Sequence, residues 1–145
     1  RPSEPIPHPT AAEVLGWPEG EFMRTRNNRR PTGGNLFSTD GPSWCLTGKA
    51  RSWMRDSDGL RLDVGPCGAL QGFPVDYPWQ GSRTSQFQQA GDVVSPLVGA
   101  AVLGAALGIE WEPQVRARSL SLAPGRTLPE PDLTPLVAEQ LALVW

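Results

Sequence analysis

The sequence contains few of the residues that most often mark a catalytic or metal site. It holds one histidine, His8, and two cysteines, Cys45 and Cys67, so no ligands stand at zinc-binding spacing and no metal is expected. Two thiols without a secretory signal predict a reducing, cytoplasmic setting. The first residue is not methionine, which suits an excerpt or a processed chain.

Long apolar runs are also missing. The longest, residues 96–109, is too short and too rich in glycine and alanine to span a bilayer, so we expect a soluble chain with no membrane partner. In contrast, 16 glycines and 16 prolines among 145 residues predict long irregular connections. A chain of this length can bury one modest core.

The charge of the chain is unevenly distributed. The net charge is −2, yet seven cations stand against the single carboxylate of Asp40 between residues 22 and 55. They are Arg24, Arg26, Arg29, Arg30, Lys49, Arg51 and Arg55. Such a segment is typical of a nucleic-acid-binding surface, although a solvated basic face is the more ordinary interpretation of a charge run.

Helix signals mark two segments clearly. Thr10 and Glu13 form a capping-box pattern at the start of a short helix at residues 11–15. A second helix begins at Pro96 and runs to about residue 107, and it is apolar almost all round. Its smooth surface of glycine and alanine predicts burial against a larger body.

The remaining segments are less regular. Turns rich in glycine and proline separate three strand-like pieces and one short helix, at residues 36–37, 44–47, 60–62 and 66–71. A final helix is expected at residues 135–144 in a proline-rich tail. These patterns predict an α+β fold, in which a small, irregular β-rich lobe is followed by the apolar helix.

One stretch is too specific for generic core or linker. Residues 69–96 read ALQGFPVDYPWQGSRTSQFQQAGDVVSP and resemble the closing motifs of DNA cytosine-5 methyltransferases. In that family a Leu-Gln-x-Phe-Pro turn leads through a loop of Gly, Ser, Arg and Thr into Gln-x-Gly-Asn-x-Val-x-Pro. The matching residues are Leu70, Gln71, Phe73, Pro74, Gly81, Ser82, Thr84, Gln86, Gln89, Gly91, Val93 or Val94, and Pro96.

The resemblance implies a division of the chain into four units. These are a proline-rich linker with a short helix (1–21), a target-recognition lobe that contacts double-stranded DNA (22–90), a helix returning to the catalytic domain (91–109) and a proline-rich tail of unknown role (110–145). The catalytic domain itself, of Rossmann-like fold in this family, is missing. The apolar helix would pack on that domain or on a separate catalytic subunit.

The recognition lobe of such an enzyme binds the DNA while the target base is flipped out of the duplex. Arginine suits this task because its planar fork binds phosphate or guanine bidentately, and the hydroxyls of the 79–84 loop can bind phosphate. The candidate DNA-binding residues are Arg24, Arg26, Arg29, Arg30, Lys49, Arg51, Ser82, Arg83 and Thr84. An ordinary polar turn is the alternative interpretation of the 79–84 loop.

The resemblance also implies a cofactor, S-adenosylmethionine, in a pocket shared with the catalytic part. Gly91, Asp92 and Val93 occupy the positions that close this pocket. Asp92 replaces the asparagine of the family motif, which exchanges a donor and acceptor for an acceptor-only carboxylate. The change is compatible with a cationic sulfonium or with decay of the site.

No catalytic residue is assigned. Pro66-Cys67 superficially resembles the family's nucleophile loop, but Cys67 precedes Leu70 by three residues, where the family has a recognition-lobe helix. We therefore expect a small buried thiol. The tryptophans Trp44, Trp53 and Trp79 could stack on bases, but core packing is the favoured interpretation.

Residues 114–118 read QVRAR, similar to a Gln-x-Arg-x-Arg motif that the family places before its recognition region. A permuted or duplicated chain would explain this position, whereas a solvated strand followed by a tail is the favoured interpretation. The sequence thus predicts the recognition portion of a bacterial or phage restriction-modification enzyme, inactive alone, as an excerpt or a split subunit. A non-catalytic DNA-binding remnant and a protein-interaction subunit are the alternatives.

Overall fold

The computed structural model describes residues 4–6, 8–25 and 34–122. Its elements are α1 Ala11–Leu15, β1 Phe22–Arg24, β2 Leu36–Ser38, a 3-10 helix Gly48–Ser52, β3 Met54–Arg55, α2 Val64–Leu70, α3 Arg83–Asp92, α4 Pro96–Leu107 and α5 Glu112–Ser121. The α+β class is confirmed. The strands are short, so helices occupy more of the described lobe than the sequence predicted.

The first helix forms by the predicted capping box. The Thr10 hydroxyl accepts a hydrogen bond from the Glu13 amide at 3.1 Å, and the Glu13 carboxylate accepts one from the Thr10 amide at 2.8 Å. Gly16 ends the helix in the left-handed conformation, at φ 65°. The helix then packs against α2, to which its buried Ala11 and Ala12 give a close-packing surface.

The three strands form an antiparallel sheet in the order β2-β1-β3. Met23 pairs with Phe37 on β2 and with Arg55 on β3, which fixes the register. The strand predicted at residues 36–37 is confirmed. The one expected at 44–47 is wrong, because that segment has no ladder partner, and in the 60–62 segment only Arg61 forms a bridge, to Met54.

One apolar core joins the sheet, the 3-10 helix, α2 and α3. Its members are Met23, Phe37, Leu46, Ala50, Trp53, Leu62, Cys67, Trp79, Phe87 and Ala90. Trp53 and Trp79 are buried, as predicted for core tryptophans. The same prediction is wrong for Trp44, whose side chain is 59% exposed.

Helix α3 was not predicted from the sequence, which indicated a loop at residues 79–84 and no helix between residue 71 and Pro96. Ser82 caps α3, and only Phe87 and Ala90 of its ten residues are buried. Two apolar positions among glutamine, serine and threonine give a weak helical pattern. Contact with the 3-10 helix and α2 therefore stabilises α3 more than its own sequence does.

Helix α4 has the predicted bounds, with Gly108 ending it at φ 67°. Most of its surface is exposed, and Gly104 is its buried residue, lying against Trp111. The solvated strand expected after Trp111 is wrong, because residues 112–121 form α5, which packs on α4 and buries Val115 and Ser119. The helix expected at 135–144 lies outside the described residues.

In length and composition alone, the stretch Arg83–Leu107 is long and apolar enough for a helix that crosses a membrane. The structure divides this stretch, because Val93 ends α3 in an extended conformation and Pro96 begins α4. The 12 residues of α4 extend only about 18 Å, against a hydrocarbon core of about 30 Å. The stretch therefore does not form one spanning helix.

Candidate nucleic-acid interface

The 3-10 helix turns its charged side chains outward. Thr47 caps it by accepting a hydrogen bond from the Lys49 amide at 3.3 Å. Ala50 is fully buried in the core, whereas Lys49 and Arg51 on either side of it are exposed. With Ala50 buried, both cations project into solvent from the exposed side of the 3-10 helix.

Arg51 connects this helix to the first turn of α3. Its Nη1 donates a hydrogen bond to Thr84 Oγ1 at 2.9 Å. Ser82 caps the same turn, since its hydroxyl accepts a hydrogen bond from the Ser85 amide at 3.3 Å. We call Lys49, Arg51 and Thr84 the basic face.

The cations of the basic face have no carboxylate partner within the described ranges. The ion pairs there join Arg24 to Asp56, Arg55 to Asp58, Arg83 to Asp63 and Arg116 to Glu112. The free amides in the first turn of α3 add partial positive charge beside Thr84. The arrangement suits an anion such as a phosphate.

Arg24 is placed differently from Lys49 and Arg51. Its Nε donates to Asp56 in a short, partly exposed ion pair, and this hydrogen bond raises the pKa of the Arg24 guanidinium. The pair occupies one side of the guanidinium and cancels its charge locally. A DNA contact by Arg24 stays a prediction. In such a contact the Arg24 guanidinium would bind both the DNA and Asp56.

Arg83 is held by contacts within the chain. Its guanidinium donates to the Asp63 carboxylate at 2.7 Å and to the Leu62 carbonyl at 3.0 Å, and lies 4.8 Å from the centre of the Phe87 ring. These contacts tie the start of α3 to the start of α2. The structure therefore gives Arg83 a positioning role that the sequence did not indicate.

The other predicted DNA-binding residues divide between the cap of α3 and the chain between β1 and β2. Ser82 uses its hydroxyl as the cap and is exposed. Arg26, Arg29 and Arg30 lie outside the described residues.

The three residues assigned to the cofactor pocket have different environments. A Cβ atom on Gly91 would lie 2.5 Å from the backbone of Thr47 and Gly48, so α3 can cross the 3-10 helix only where glycine stands. Val93 packs against the core. Asp92 is exposed and accepts a hydrogen bond from Gln88 four residues earlier. Of the three, Asp92 is the side chain available to a ligand.

Cys67 is fully buried, as expected for a small core thiol. Burial raises the pKa of the Cys67 thiol to about 12. A thiol in this state is neutral and out of reach of a substrate at neutral pH. In the parts of the chain that the structure describes, no three His, Cys, Asp or Glu side chains form a group able to hold a metal ion.

Two features of the interface were not found by sequence reasoning. The first is the pairing of Arg51 with Thr84, which are 33 residues apart and meet only through the crossing of their helices. The second is the exposure of Trp44. The basic residues that follow Trp44 in the sequence are the signal that could have indicated an exposed position.

Comparison with known proteins relates part of the chain to methyltransferases. No family model and no solved structure matches the chain. Over 83 residues it is 35% identical to the type II methyltransferase M1.HphI of Haemophilus parahaemolyticus, a match covering 54% of this chain. The chain spans 22% of the length of that relative. It therefore contains a region related to a type II methyltransferase.

Proposed function

We propose that this chain is the DNA-recognising portion of a DNA cytosine-5 methyltransferase. The whole enzyme would transfer a methyl group from S-adenosylmethionine to C5 of cytosine in duplex DNA, in the cytoplasm. One observation carries the proposal: a chain related in part to a type II methyltransferase presents, on a preorganised face, two cations that have no ion-pair partner among the described residues. The nucleophile would be supplied by residues outside this sequence.

The basic face would position the duplex by binding its phosphates. Lys49 would act as a point charge and Arg51 as a planar fork. The hydrogen bond that Arg51 donates to Thr84 limits the rotation of the Arg51 side chain, so less side-chain entropy is lost on binding. Contacts of this kind set the register of the protein on DNA and carry no sequence information themselves.

The exposed surface of α4 would be covered by the catalytic part. Val98, Val102, Leu103 and Leu107 are each more than half exposed, and no residue of α4 is charged. Such a patch is typical of a protein interface. In the assembled enzyme Asp92, just before α4, would face the S-adenosylmethionine pocket.

The experiment that tests the proposal combines this chain with a cytosine-5 methyltransferase catalytic part. Labelled methyl transfer to duplex DNA is measured for the catalytic part alone, with this chain, and with the Lys49→Ala/Arg51→Ala variant. We expect no transfer by the catalytic part alone, transfer when the wild-type chain is added, and at least a tenfold lower rate with the variant. A well-folded complex that binds S-adenosylmethionine and transfers no methyl group would refute the proposal.

A second candidate function is a non-catalytic DNA-binding module. The observation that favours it is Asp92, which stands where the motif of the cytosine-5 methyltransferases that the sequence resembles has asparagine, and whose carboxylate accepts a hydrogen bond from Gln88. In this case the chain would bind DNA by itself, and the Asp92→Asn variant would restore no transfer when the catalytic part is present. Recovery of transfer in that variant would favour the first function.

A further inference from the structure

Trp44 is the most exposed aromatic side chain in the described ranges. A fraction of 59% of its surface is accessible, whereas Phe37 and Trp53 beside it are 8% and 6% exposed. A large aromatic ring contributes most to stability when it is buried. The open position of Trp44 therefore contributes little to the fold and leaves the ring available for a ligand.

The ring of Trp44 is nevertheless in contact with the core. It stacks on Phe37 with ring centroids 5.3 Å apart and an interplanar angle of 29°. Phe37 in turn meets Trp53 edge-on, at 5.4 Å and 76°. This aromatic stack of Trp44, Phe37 and Trp53 supports one face of the indole from the core and leaves the opposite face open.

The chain runs from the aromatic stack directly into the basic face. Leu46 and Ala50 point into the core, so the exposed side chains of this segment include Trp44, Lys49 and Arg51. An open aromatic ring followed by cations is the combination that binds nucleotides, because the ring stacks on a base while the cations bind phosphate.

We infer that Trp44 stacks on an unpaired base of a nucleic acid whose phosphates lie on the basic face. The inference rests on the proposed function, in which the basic face contacts DNA. In a fully paired duplex neighbouring bases cover both faces of each base, so only an extrahelical or single-stranded base can meet the indole. The cations after Trp44 favour this anionic ligand over an apolar protein surface.

The test uses the 145-residue chain and three oligonucleotides. They are a paired duplex, the same duplex with one extrahelical 2-aminopurine, and a single strand carrying 2-aminopurine, whose fluorescence falls when it stacks. Wild-type protein should bind the extrahelical duplex about tenfold more tightly than the paired one and quench the probe. Trp44→Ala should remove this preference and the quenching, and Trp44→Phe should retain most of both.

Leu60→Ala is the matched control, because Leu60 is similarly exposed at 52% and lies outside the basic face. It should keep the wild-type preference, and circular dichroism melting of each variant verifies the fold. If the probe is quenched in the single strand as well, the site binds any unpaired base. If it is quenched only in the duplex with the extrahelical 2-aminopurine, the site binds only bases extruded from a duplex. Either result supports the inference.

The inference is overturned if Trp44→Ala binds and quenches as the wild type does. It is also overturned if the substitution changes only self-association in sedimentation, because Trp44 would then be a protein contact. Failure of the proposed function has a different signature: wild-type protein would bind none of the three oligonucleotides, at any salt concentration. Normal binding of paired DNA with no preference for the open base would refute the role of Trp44 alone.

Discussion

Arg51 and Arg83 illustrate how neighbours decide what a cation does. Arg83 has a carboxylate, a carbonyl and an aromatic ring around its guanidinium, so its charge is used within the chain. Within the part of the chain that the structure describes, the side chain of Arg51 has only the hydroxyl of Thr84 as a hydrogen-bond partner, which orients the guanidinium without neutralising it. Both arginines were assigned to DNA from the sequence, and only their surroundings distinguish them.

Because of Cys67, the free energy of unfolding should decrease as the pH rises into the alkaline range. Its pKa is about 12 in the folded chain against an ordinary value of 9.0, so the unfolded state loses the proton first as pH rises. The stabilisation from the neutral thiol is fully present below pH 9 and is lost toward pH 12, at about 1.4 kcal/mol per pH unit. Urea unfolding at pH 8 to 11, with reductant, should show this decline.

Cys67→Ala is the control for that experiment, because it removes the titrating group and retains a small apolar side chain. The variant should be less stable at pH 8 and should lose less stability than the wild type as pH rises. Equal pH dependence in the two proteins would mean that Cys67 ionises as readily in the folded chain as in the unfolded one.

At the scale of elements, the helices with local signals were predicted well. The capping box of α1 and the proline and glycine that bound α4 lie within the segments they define. Helix α3 has two buried residues, and α5 was expected as a strand. Both depend on packing against elements distant in sequence, which a local pattern does not contain.

The crossing of α3 over the 3-10 helix predicts opposite effects for two glycines. Gly91→Ala would place a Cβ atom 2.5 Å from the backbone of Thr47 and Gly48, and should destabilise the chain by about 1–3 kcal/mol. Gly99→Ala, in α4, meets nothing within 4 Å and should stabilise by up to about 1 kcal/mol. Denaturant unfolding measures both.

Because Arg51 and Thr84 are held together by this crossing, Gly91→Ala should also weaken DNA binding, whereas Gly99→Ala should not. Equal stability of the two variants would show that the crossing is looser than the structure indicates. If Gly91→Ala loses stability but binds DNA as the wild type does, then DNA binding does not depend on the crossing of α3 over the 3-10 helix.

The surface of α4 gives a second prediction at this scale. Val102→Glu should change the free energy of unfolding by less than about 0.5 kcal/mol, because Val102 is 62% exposed. It should nevertheless abolish the methyl transfer recovered with the catalytic part, since a carboxylate would be buried without a partner. Leu60→Glu, also on the surface, should retain transfer. Full transfer by Val102→Glu would place the docking surface elsewhere.

Across the whole molecule, the sequence predicted the α+β class, the bounds of α1 and α4 and the buried state of Cys67. It did not predict which cations form ion pairs with carboxylates. Such pairs depend on contacts between residues distant in sequence, such as Arg24 and Asp56, which are 32 residues apart. Trp44 was expected in the core for a similar reason. Residue type favours burial of tryptophan, and only the packing of Phe37 and Trp53 shows that the core is already filled.

The proposed DNA contact predicts a specific salt dependence. Each phosphate neutralised by a cation contributes about 0.9 to the slope of log K against log salt concentration. Lys49→Ala/Arg51→Ala should therefore reduce the magnitude of the slope by roughly two and weaken binding to all duplex sequences alike. Fluorescence anisotropy between 50 and about 200 mM salt measures it.

Arg61→Ala is the matched control, because Arg61 is exposed, forms no ion pair among the described residues and lies outside the basic face. Its slope should equal that of the wild type. An unchanged slope in the double variant, or an equal change in the control, would remove Lys49 and Arg51 from the DNA contact.

The bare apolar flanks of α4 also bear on how the protein must be produced in a cell. Helices of this kind associate with one another as concentration rises, so copies synthesised in excess of whatever covers α4 would aggregate or be degraded. If a catalytic part covers α4 as proposed, synthesis of that part in balance with this chain, whether by fusion in one polypeptide or by coupled translation, would prevent this loss.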